Sequence, residues 1–194
     1  MKRLSTILSV IIILGVIYWS FSDLKPSSVN KKSISETDFS MVNALFHLKN
    51  ITKKAHFVGS KEHKQVQSYI ITELQKIGLE ATIQTQTAVN KKWVAATTTE
   101  NILAKIKGSE NGKSLVLLTH YDSSTHSAKG ASDAGSGVVT ILEGVRAFLA
   151  KNETPKNDII ILISDAEELG LLGAEAFVNE HPWAKNVGLV LNFE

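Results

Sequence analysis

Three short runs of apolar residues, at positions 114–118, 159–163 and 187–191, constrain the fold of this chain more than any other feature. Each run has the length of one β-strand, and uninterrupted apolar runs are typical of strands buried on both faces of a sheet. Polar residues follow the runs in turn: His120 and Asp122, then Glu167 and Glu168, and finally Glu194. In an open α/β sheet, ligands bind at the carboxyl ends of the strands. We therefore expect these residues to gather at one edge, where a histidine nitrogen and carboxylate oxygens are suitable ligands for a metal ion.

The charge balance excludes one class of function. The 194 residues include 21 Lys and Arg and 19 Asp and Glu, which gives a formal net charge of +2. Proteins that bind nucleic acid by electrostatic attraction carry a larger positive excess, so we expect no nucleic-acid partner. The chain has no cysteine, which excludes disulfide bonds and zinc–thiolate sites. Its length is sufficient for one full-sized domain with a terminal extension.

An uncharged and mostly apolar segment, Leu4–Phe21, follows the basic start of the chain. As a helix it would extend about 27 Å, at about 1.5 Å per residue, which is close to the roughly 30 Å hydrocarbon core of a bilayer. A cleavable signal peptide is the alternative, but no small-x-small cleavage site precedes the bulky Tyr18, Trp19 and Phe21. We therefore expect a transmembrane anchor at residues 1–22, which contacts the membrane through residues 4–21.

The anchor is followed by a polar segment, residues 23–37, that lacks periodicity and is expected to be a flexible linker. Residues 38–194 then form the folded domain. We expect a single-pass membrane protein with this domain on the extracytoplasmic side. Lys25, Lys31 and Lys32 weaken the charge asymmetry on which that orientation depends.

Helical and extended patterns alternate along residues 38–194. Apolar residues recur at helical spacing in four segments, and alternating or continuous apolar residues indicate strands between them. The predicted helices begin near 38 and then cover 61–77, 137–150 and 170–179, and the predicted strands are 79–87, 93–98, 101–106, 114–118, 158–164 and 187–191. This alternation predicts an α/β domain with a mixed, mainly parallel sheet flanked by helices on both faces.

Each polar cluster also has a purely structural interpretation. His120 can be a surface histidine, and Asp133, in a glycine-rich loop, can cap the helix that follows it. Glu167 and Glu168 can form the solvated first turn of a helix. After a buried strand, however, one of two neighbouring carboxylates can bind a metal while the other takes a proton from water. Asp122 lies on the same side of an extended segment as His120 and can accept its second N–H.

Together the clusters resemble one enzyme family. The motifs are His120-Tyr-Asp-Ser, Gly130-Ala-Ser-Asp-Ala-Gly-Ser-Gly, Asp165-Ala-Glu-Glu-Leu-Gly-Leu-Leu-Gly-Ala and Asn192-Phe-Glu. They resemble the co-catalytic zinc aminopeptidases of peptidase family M28, and the resemblance extends over residues 38–194. Glu194 and the stretch His181-Pro-Trp-Ala are most similar to the membrane-bound branch, which includes endoplasmic-reticulum and vacuolar metallopeptidases. The resemblance implies a zinc exopeptidase-like fold.

The resemblance also implies a role for each matching residue. His120 and Glu194 would bind one zinc ion, Glu168 would bind a second, and Asp133 would bridge both. Glu167 would act as the general base, and Asp122 would orient His120. The implied cofactor is a pair of zinc ions, and the implied substrate is a peptide that loses its N-terminal residue.

One part of the family pattern lies outside this sequence. The family's site is completed by a further histidine downstream of the Asn-Phe-Glu motif, whereas this chain ends at Glu194. We expect the chain to be a fragment that lacks the C-terminal part of the domain and is inactive by itself. His126 is the alternative source of the missing ligand. Two other functions stay open: a glutaminyl cyclase-like enzyme with a single zinc ion, and a non-catalytic binding protein with a peptidase fold.

Overall fold

The computed structural model describes residues 2–24, 35–92, 94–126 and 129–194. The chain divides into two compact units, residues 1–32 and 33–194, and each is described by itself. The described residues of the first unit, 2–24, contain the helix α1, Lys2–Asp23. Its segment Leu4–Asp23 has a mean hydropathy of 2.2 and is fully exposed, so by length and composition it is able to cross a membrane. A signal sequence would have the same properties, and the predicted division into anchor, linker and domain stays a prediction.

The second unit is built around a five-stranded sheet with the strand order β1-β2-β4-β3-β5. The strands are β1 (Thr82–Asn90), β2 (Ala95–Ile106), β3 (Ser114–His120), β4 (Ile159–Ser164) and β5 (Val187–Asn192). β2 pairs antiparallel with both β1 and β4, whereas β3 pairs parallel with β4 and β5. Four strands therefore run in one direction and β2 runs in the other. This arrangement confirms the predicted mixed, mainly parallel sheet.

Helices cover both faces of the sheet. The helices of this unit are α2 (Met41–Ile51), α3 (Lys61–Lys76), α4 (Ser136–Leu149) and α5 (Leu172–Glu180), with a short 3-10 helix at Pro182–Asn186. On one face α2, α3 and α4 bury their apolar side chains against residues such as Ile102, Ile161 and Ile163. On the other face α5 and the 3-10 helix pack against Leu103, Val116, Ile160 and Leu162. Alternate residues of one strand thus belong to different cores, which explains why β4 is apolar at every position from 159 to 163.

Adjacent residues set both ends of α3. Ser60 accepts a hydrogen bond from the backbone of His63 and caps the helix, as is typical of a serine that precedes a helical pattern. Gly78 has a φ of +85° and ends the same helix in the left-handed conformation that favours glycine.

One prediction was wrong. The separate strands at 93–98 and 101–106 form a single strand, β2, which pairs continuously with β1. The polar residues in its middle interrupt the alternation typical of a strand. They are accommodated there because their hydrogen-bond partners come from elements distant in sequence. Asn101 is buried and donates hydrogen bonds to the Gly173 carbonyl oxygen and to Gln84.

Candidate metal centre

The parallel strands β4, β3 and β5 are neighbours, so their carboxyl ends meet at one edge of the sheet. His120 closes β3 and pairs in register with Ser164, the last residue of β4. Asn192, the last residue of β5, pairs with Leu118 of β3. The three strands therefore end at nearly the same height along the sheet, and the residues that follow them start close together. The sheet itself brings the sequence-predicted residues together, as the strand-end placement indicated.

His120 lies buried at the centre of this edge. Its Nε2 atom is 2.9 Å from Asp133 Oδ1 and 3.8 Å from Glu167 Oε2. On the other side of the ring, Nδ1 is 3.0 Å from the Asp122 carbonyl oxygen and 3.3 Å from Asp122 Oδ1. One ring nitrogen thus faces the other predicted site residues, while Asp122 holds the second nitrogen.

Asp122 links His120 to the turn that follows β4. Its carboxylate is buried and accepts hydrogen bonds from the backbone amides of Glu167 at 3.0 Å and Glu168 at 3.1 Å. Sequence patterns suggested only the contact with His120. The additional bonds to the two backbone amides depend on how the β3 and β4 ends face each other.

The loop that carries Asp133 is shaped by glycines at both ends. Gly130 has a φ of +62°, in the left-handed region, and a kinked turn at Ala131–Gly135, in which Asp133 has an extended backbone, leads into α4. At Gly137 a Cβ atom would overlap the Thr119 side chain and the Phe193 carbonyl oxygen, so glycine lets α4 approach the strand ends closely. Asp133 exposes 69% of its side chain, yet its Oδ1 reaches the buried His120 ring.

Glu194 follows β5 at the same edge. Its Oε1 accepts a hydrogen bond from Asn192 Nδ2 at 3.0 Å, and its charge contributes to raising the pKa of Glu167. The influence of its charge places Glu194 in the electrostatic neighbourhood of the cluster. His126, the alternative ligand, is exposed and its Nδ1 lies 2.8 Å from Thr125 Oγ1.

The charges in the cluster perturb one another. Burial lowers the pKa of His120, but hydrogen bonding and the charges of Asp122 and Glu167 outweigh burial and raise this pKa to about 9. Burial raises the pKa of Glu167, and the charges of Asp122, Glu168 and Glu194 add to that rise against the opposing effect of His120. Burial and the charge of Asp133 similarly raise the pKa of Glu168. The carboxylates thus create a negative electrostatic potential around His120, which favours the binding of a positive charge.

This donor set suits zinc by its chemistry, since it combines one imidazole nitrogen with several carboxylate oxygens. Across residues 2–24, 35–92, 94–126 and 129–194, no three His, Asp or Glu side chains are already arranged to hold a metal ion together. The assignment of His120, Asp133, Glu168 and Glu194 as zinc ligands stays a prediction from the family resemblance.

Two buried residues near the turn were not singled out by sequence patterns. His63 of α3 lies 2.8 Å from Asp165, and both side chains are buried. The available signal was that His63 lies on the same helical stripe as Val66 and Ile70, where a polar residue needs a buried partner.

Comparison with known proteins identifies the family. The model described as Peptidase family M28 matches residues 101–194. The chain is 35% identical over 159 residues to a vacuolar membrane protease of Candida dubliniensis. This alignment covers 76% of this chain and 16% of the relative. It is 32% identical over 206 residues to a vacuolar membrane protease of Vanderwaltozyma polyspora, in an alignment that covers 96% of this chain and 21% of the relative. The chain thus spans about a fifth of the length of these relatives.

Solved structures show the same fold. Porphyromonas gingivalis glutaminyl cyclase superposes with a TM-score of 0.68 at 20% identity, over 81% of this chain and 59% of that one. A Zn-dependent exopeptidase from Parabacteroides distasonis superposes with a TM-score of 0.62 at 24% identity, over 76% of this chain and 58% of that one. At these identities the likeness concerns the fold alone. The sequence matches and the motifs at the strand ends lead to one conclusion: the chain belongs to peptidase family M28.

Proposed function

We propose that this protein is a membrane-anchored, zinc-dependent exopeptidase of the aminopeptidase type. One observation carries the proposal: the Asp122 carboxylate joins the imidazole of His120 to the backbone amides of Glu167 and Glu168. This junction holds a nitrogen ligand and two carboxylates at fixed positions on one edge of the sheet. Membership of family M28 supports the same chemistry.

The proposed ligands would hold two zinc ions. His120 and Glu194 would bind one ion, Glu168 would bind the other, and Asp133 would contribute to both. When bound, zinc polarises the carbonyl of the scissile peptide bond and lowers the pKa of the attacking water. Asp122 keeps the His120 ring oriented through Nδ1, which leaves Nε2 directed towards the ligand set.

Glu167 is the proposed general base. Burial and the neighbouring carboxylates raise its pKa, which brings it closer to the range in which a side chain both accepts and returns a proton efficiently. It takes the proton from the attacking water and delivers it to the nitrogen of the leaving peptide. Its backbone amide donates a hydrogen bond to Asp122, which fixes the backbone from which the Glu167 side chain extends.

The proposed location is a membrane, with α1 as a single-pass anchor and the peptidase domain on the extracytoplasmic side. The exposed apolar surface of α1 supports this location, and the curated relatives are named vacuolar membrane proteases. Retention in the membrane fraction through an alkaline carbonate wash is the expected result. A mature N-terminus between residues 20 and 30 would instead show that α1 is a cleaved signal.

A glutaminyl cyclase-like activity is the second candidate, because solved glutaminyl cyclases share this fold. The experiment that separates the candidates uses the natural full-length protein, loaded with zinc. We expect two zinc ions per chain and release of free amino acids from peptides with unblocked N-termini. One zinc ion, with ammonia released from peptides that begin with glutamine, would favour the cyclase. Zinc-independent peptide binding without turnover would favour a non-catalytic relative.

A further inference from the structure

A buried polar pair lies directly behind the turn that carries Glu167 and Glu168. His63 Nε2 is 2.8 Å from Asp165 Oδ1, and the two side chains are only 3% and 1% exposed. The pair joins α3 to the residue that follows β4. The proposed reaction uses neither side chain directly, and burying two polar groups is costly unless they are hydrogen-bonded, as these two are to each other.

Helix α3 fixes the His63 ring in place. The ring stacks on Tyr121 with centroids 4.6 Å apart, and Ser60 caps the helix at the His63 amide. One turn later, Gln67 donates a hydrogen bond to the Tyr121 hydroxyl at 3.0 Å. Tyr121 in turn donates to the Glu100 carbonyl oxygen at 3.0 Å. The imidazole is therefore held by packing and by its helix, and it presents Nε2 to Asp165.

The Asp165 carboxylate organises the start of the turn. Its Oδ1 accepts the amide hydrogen of Ala166 at 2.8 Å, and its Oδ2 accepts that of Glu100 at 2.8 Å. Ala166 has a φ of +55°, a left-handed conformation that is unfavourable for a residue with a Cβ atom. The bond from its own amide to Asp165 supports this conformation. The conformation sets the direction in which the chain leaves towards Glu167.

The turn is thus held by two carboxylates on opposite sides. Asp165 holds the amide of Ala166, and Asp122 holds the amides of Glu167 and Glu168. Asp165 is kept in position by His63 and by Glu100. Without the His63 donor, one oxygen of Asp165 would lose a buried partner, and the backbone amides of Ala166 and Glu100 would hold the carboxylate less firmly against rotation.

We propose that His63 is a positioning residue for the site: through Asp165 it fixes the left-handed turn at Ala166 and thereby aims Glu167 and Glu168. This inference rests on the proposed function of those two glutamates. It assigns His63 no contact with substrate or zinc. Its effect passes through one hydrogen bond and one backbone conformation.

The test compares two substitutions of His63 with a matched control. His63→Met replaces the imidazole donor with an apolar side chain of similar length. His63→Gln retains an N–H that reaches Asp165. Ile70→Val lies on the same helix, is equally buried, and removes one methylene away from the turn. Should the apolar variant fail to fold, His63→Asn, whose amide is too short to reach Asp165, replaces it in the same comparison.

Amide hydrogen exchange of this chain gives a readout that needs no catalysis. We expect His63→Met to speed exchange at Glu167 and Glu168 by about tenfold, because their local opening becomes easier. His63→Gln should restore the parent rate within about twofold, as a retained donor predicts. Equal exchange rates at these two amides in His63→Met and Ile70→Val would overturn the proposal.

A second substitution tests the route through Ala166. Glycine adopts the left-handed conformation without a Cβ penalty, so Ala166→Gly makes the turn less dependent on Asp165. We expect the effect of His63→Met on exchange to fall from about tenfold to about threefold in the Ala166→Gly background, as a double-mutant cycle reports for coupled residues. Additive effects of the two substitutions would show that His63 acts by another route.

Kinetics of the natural full-length protein complete the test. We expect His63→Met to lower kcat by about tenfold with KM within about twofold, because the turn positions the base rather than the substrate. Zinc affinity should fall by about tenfold, as for other residues behind a ligand. Parent protein without zinc binding or turnover would refute the proposed function, whereas an active parent with unchanged His63→Met kinetics would refute this inference alone.

Discussion

At the scale of single residues, Asp122 connects three of the predicted site residues. Its two carboxylate oxygens accept the amides of Glu167 and Glu168, and its carbonyl oxygen and Oδ1 lie beside His120 Nδ1. The two glutamates that it holds are neighbours in sequence but occupy different environments. Glu167 lies 3.8 Å from His120, while the pKa of Glu168 responds to Asp133. Their amide substitutions are therefore expected to fail in different ways.

In the natural full-length protein, Glu167→Gln should abolish turnover and keep zinc. The amide retains the shape of the side chain but cannot accept a proton, and general-base assistance contributes about 10²–10⁴ in rate. Glu168→Gln should lose zinc first, because a neutral amide is a weaker ligand than a carboxylate. Zinc content after dialysis against dilute chelator, measured beside turnover, separates the two. Equal zinc loss in both variants, or full activity of Glu167→Gln, would reverse the assignment.

Acid should destabilise the domain through His56. Burial lowers the pKa of this side chain, which is held at Nδ1 by the Lys54 carbonyl oxygen. Because the folded-state pKa lies below the unfolded value of about 6.5, the unfolded chain binds more protons as the pH falls below that value. The stability contribution is therefore present above the unfolded pKa and is lost as the pH falls through the folded pKa. Burial also lowers the pKa values of His47 and His181, which act in the same direction.

His56→Asn removes the titrating group and keeps an N–H near the Lys54 oxygen. We expect its free energy of unfolding to depend less on pH between 7 and 5 than that of the parent, as measured by urea titration at fixed ionic strength. His126→Asn, at an exposed histidine, is the control and should leave the parent slope unchanged. Identical slopes for all three proteins would show that His56 does not contribute.

At the scale of elements, α4 binds the start of the domain through an ion pair. Glu143 is fully buried and accepts the Ser40 amide at 2.7 Å, while Arg146 donates to it through Nε at 2.8 Å. Arg146 also donates to the carbonyl oxygens of Glu36 at 2.6 Å and Asp38 at 2.8 Å. One helical turn of α4 thus holds residues 36–40 against the domain.

Arg146→Leu should destabilise the domain by about 3 kcal/mol, because it leaves a buried carboxylate without its cation. Adding Glu143→Gln to this variant should recover part of the loss, since it removes the uncompensated charge. Urea unfolding of residues 35–194 measures both effects. Lys151→Leu, at an exposed position just after the same helix, is the control. A loss of unfolding free energy in Arg146→Leu no larger than that in Lys151→Leu would mean that water satisfies Glu143 as well as Arg146 does.

At the scale of the whole domain, β5 is an exposed apolar edge. Among the described strands it pairs with β3 alone, and Leu189, Val190 and Leu191 are 58%, 46% and 43% exposed. An apolar groove of about 210 Å³ borders this strand beside Val190, and another of about 290 Å³ lies beside Phe193, just after the strand. An exposed apolar strand edge is a template for pairing with another chain.

Residues 35–194 in isolation are therefore expected to self-associate through β5. The double substitution Leu189→Lys and Leu191→Lys should lower the fraction of oligomer, measured by sedimentation at matched concentrations, because charge on an edge strand opposes pairing. Thr85→Lys adds charge to the polar opposite edge, β1, and should leave association unchanged. Association that persists in the β5 variant would locate the contact elsewhere.

The sequence by itself determined the fold class and predicted the members of the site. Continuous apolar runs such as 159–163 are typical of strands buried on both faces of a sheet, and parallel strands place the residues after them at a common edge. His120, Glu167 and Glu168 were therefore predictable as neighbours before any coordinates existed. Ser60 and Gly78 were predictable for a local reason, since a cap and a left-handed turn depend on adjacent residues alone.

Only the tertiary structure decided which atoms hold these residues in place. The amides bound by Asp122 come from a segment 45 and 46 residues away, and His63 meets Asp165 across 102 residues. Spacing in sequence carries no information about such pairs, because their geometry depends on how α3, β3 and β4 pack together. The continuity of β2 was hidden for the same reason, since the partners of its buried Asn101 lie on β1 and α5. Local patterns specify which groups need partners, and packing of distant segments decides which partners they find.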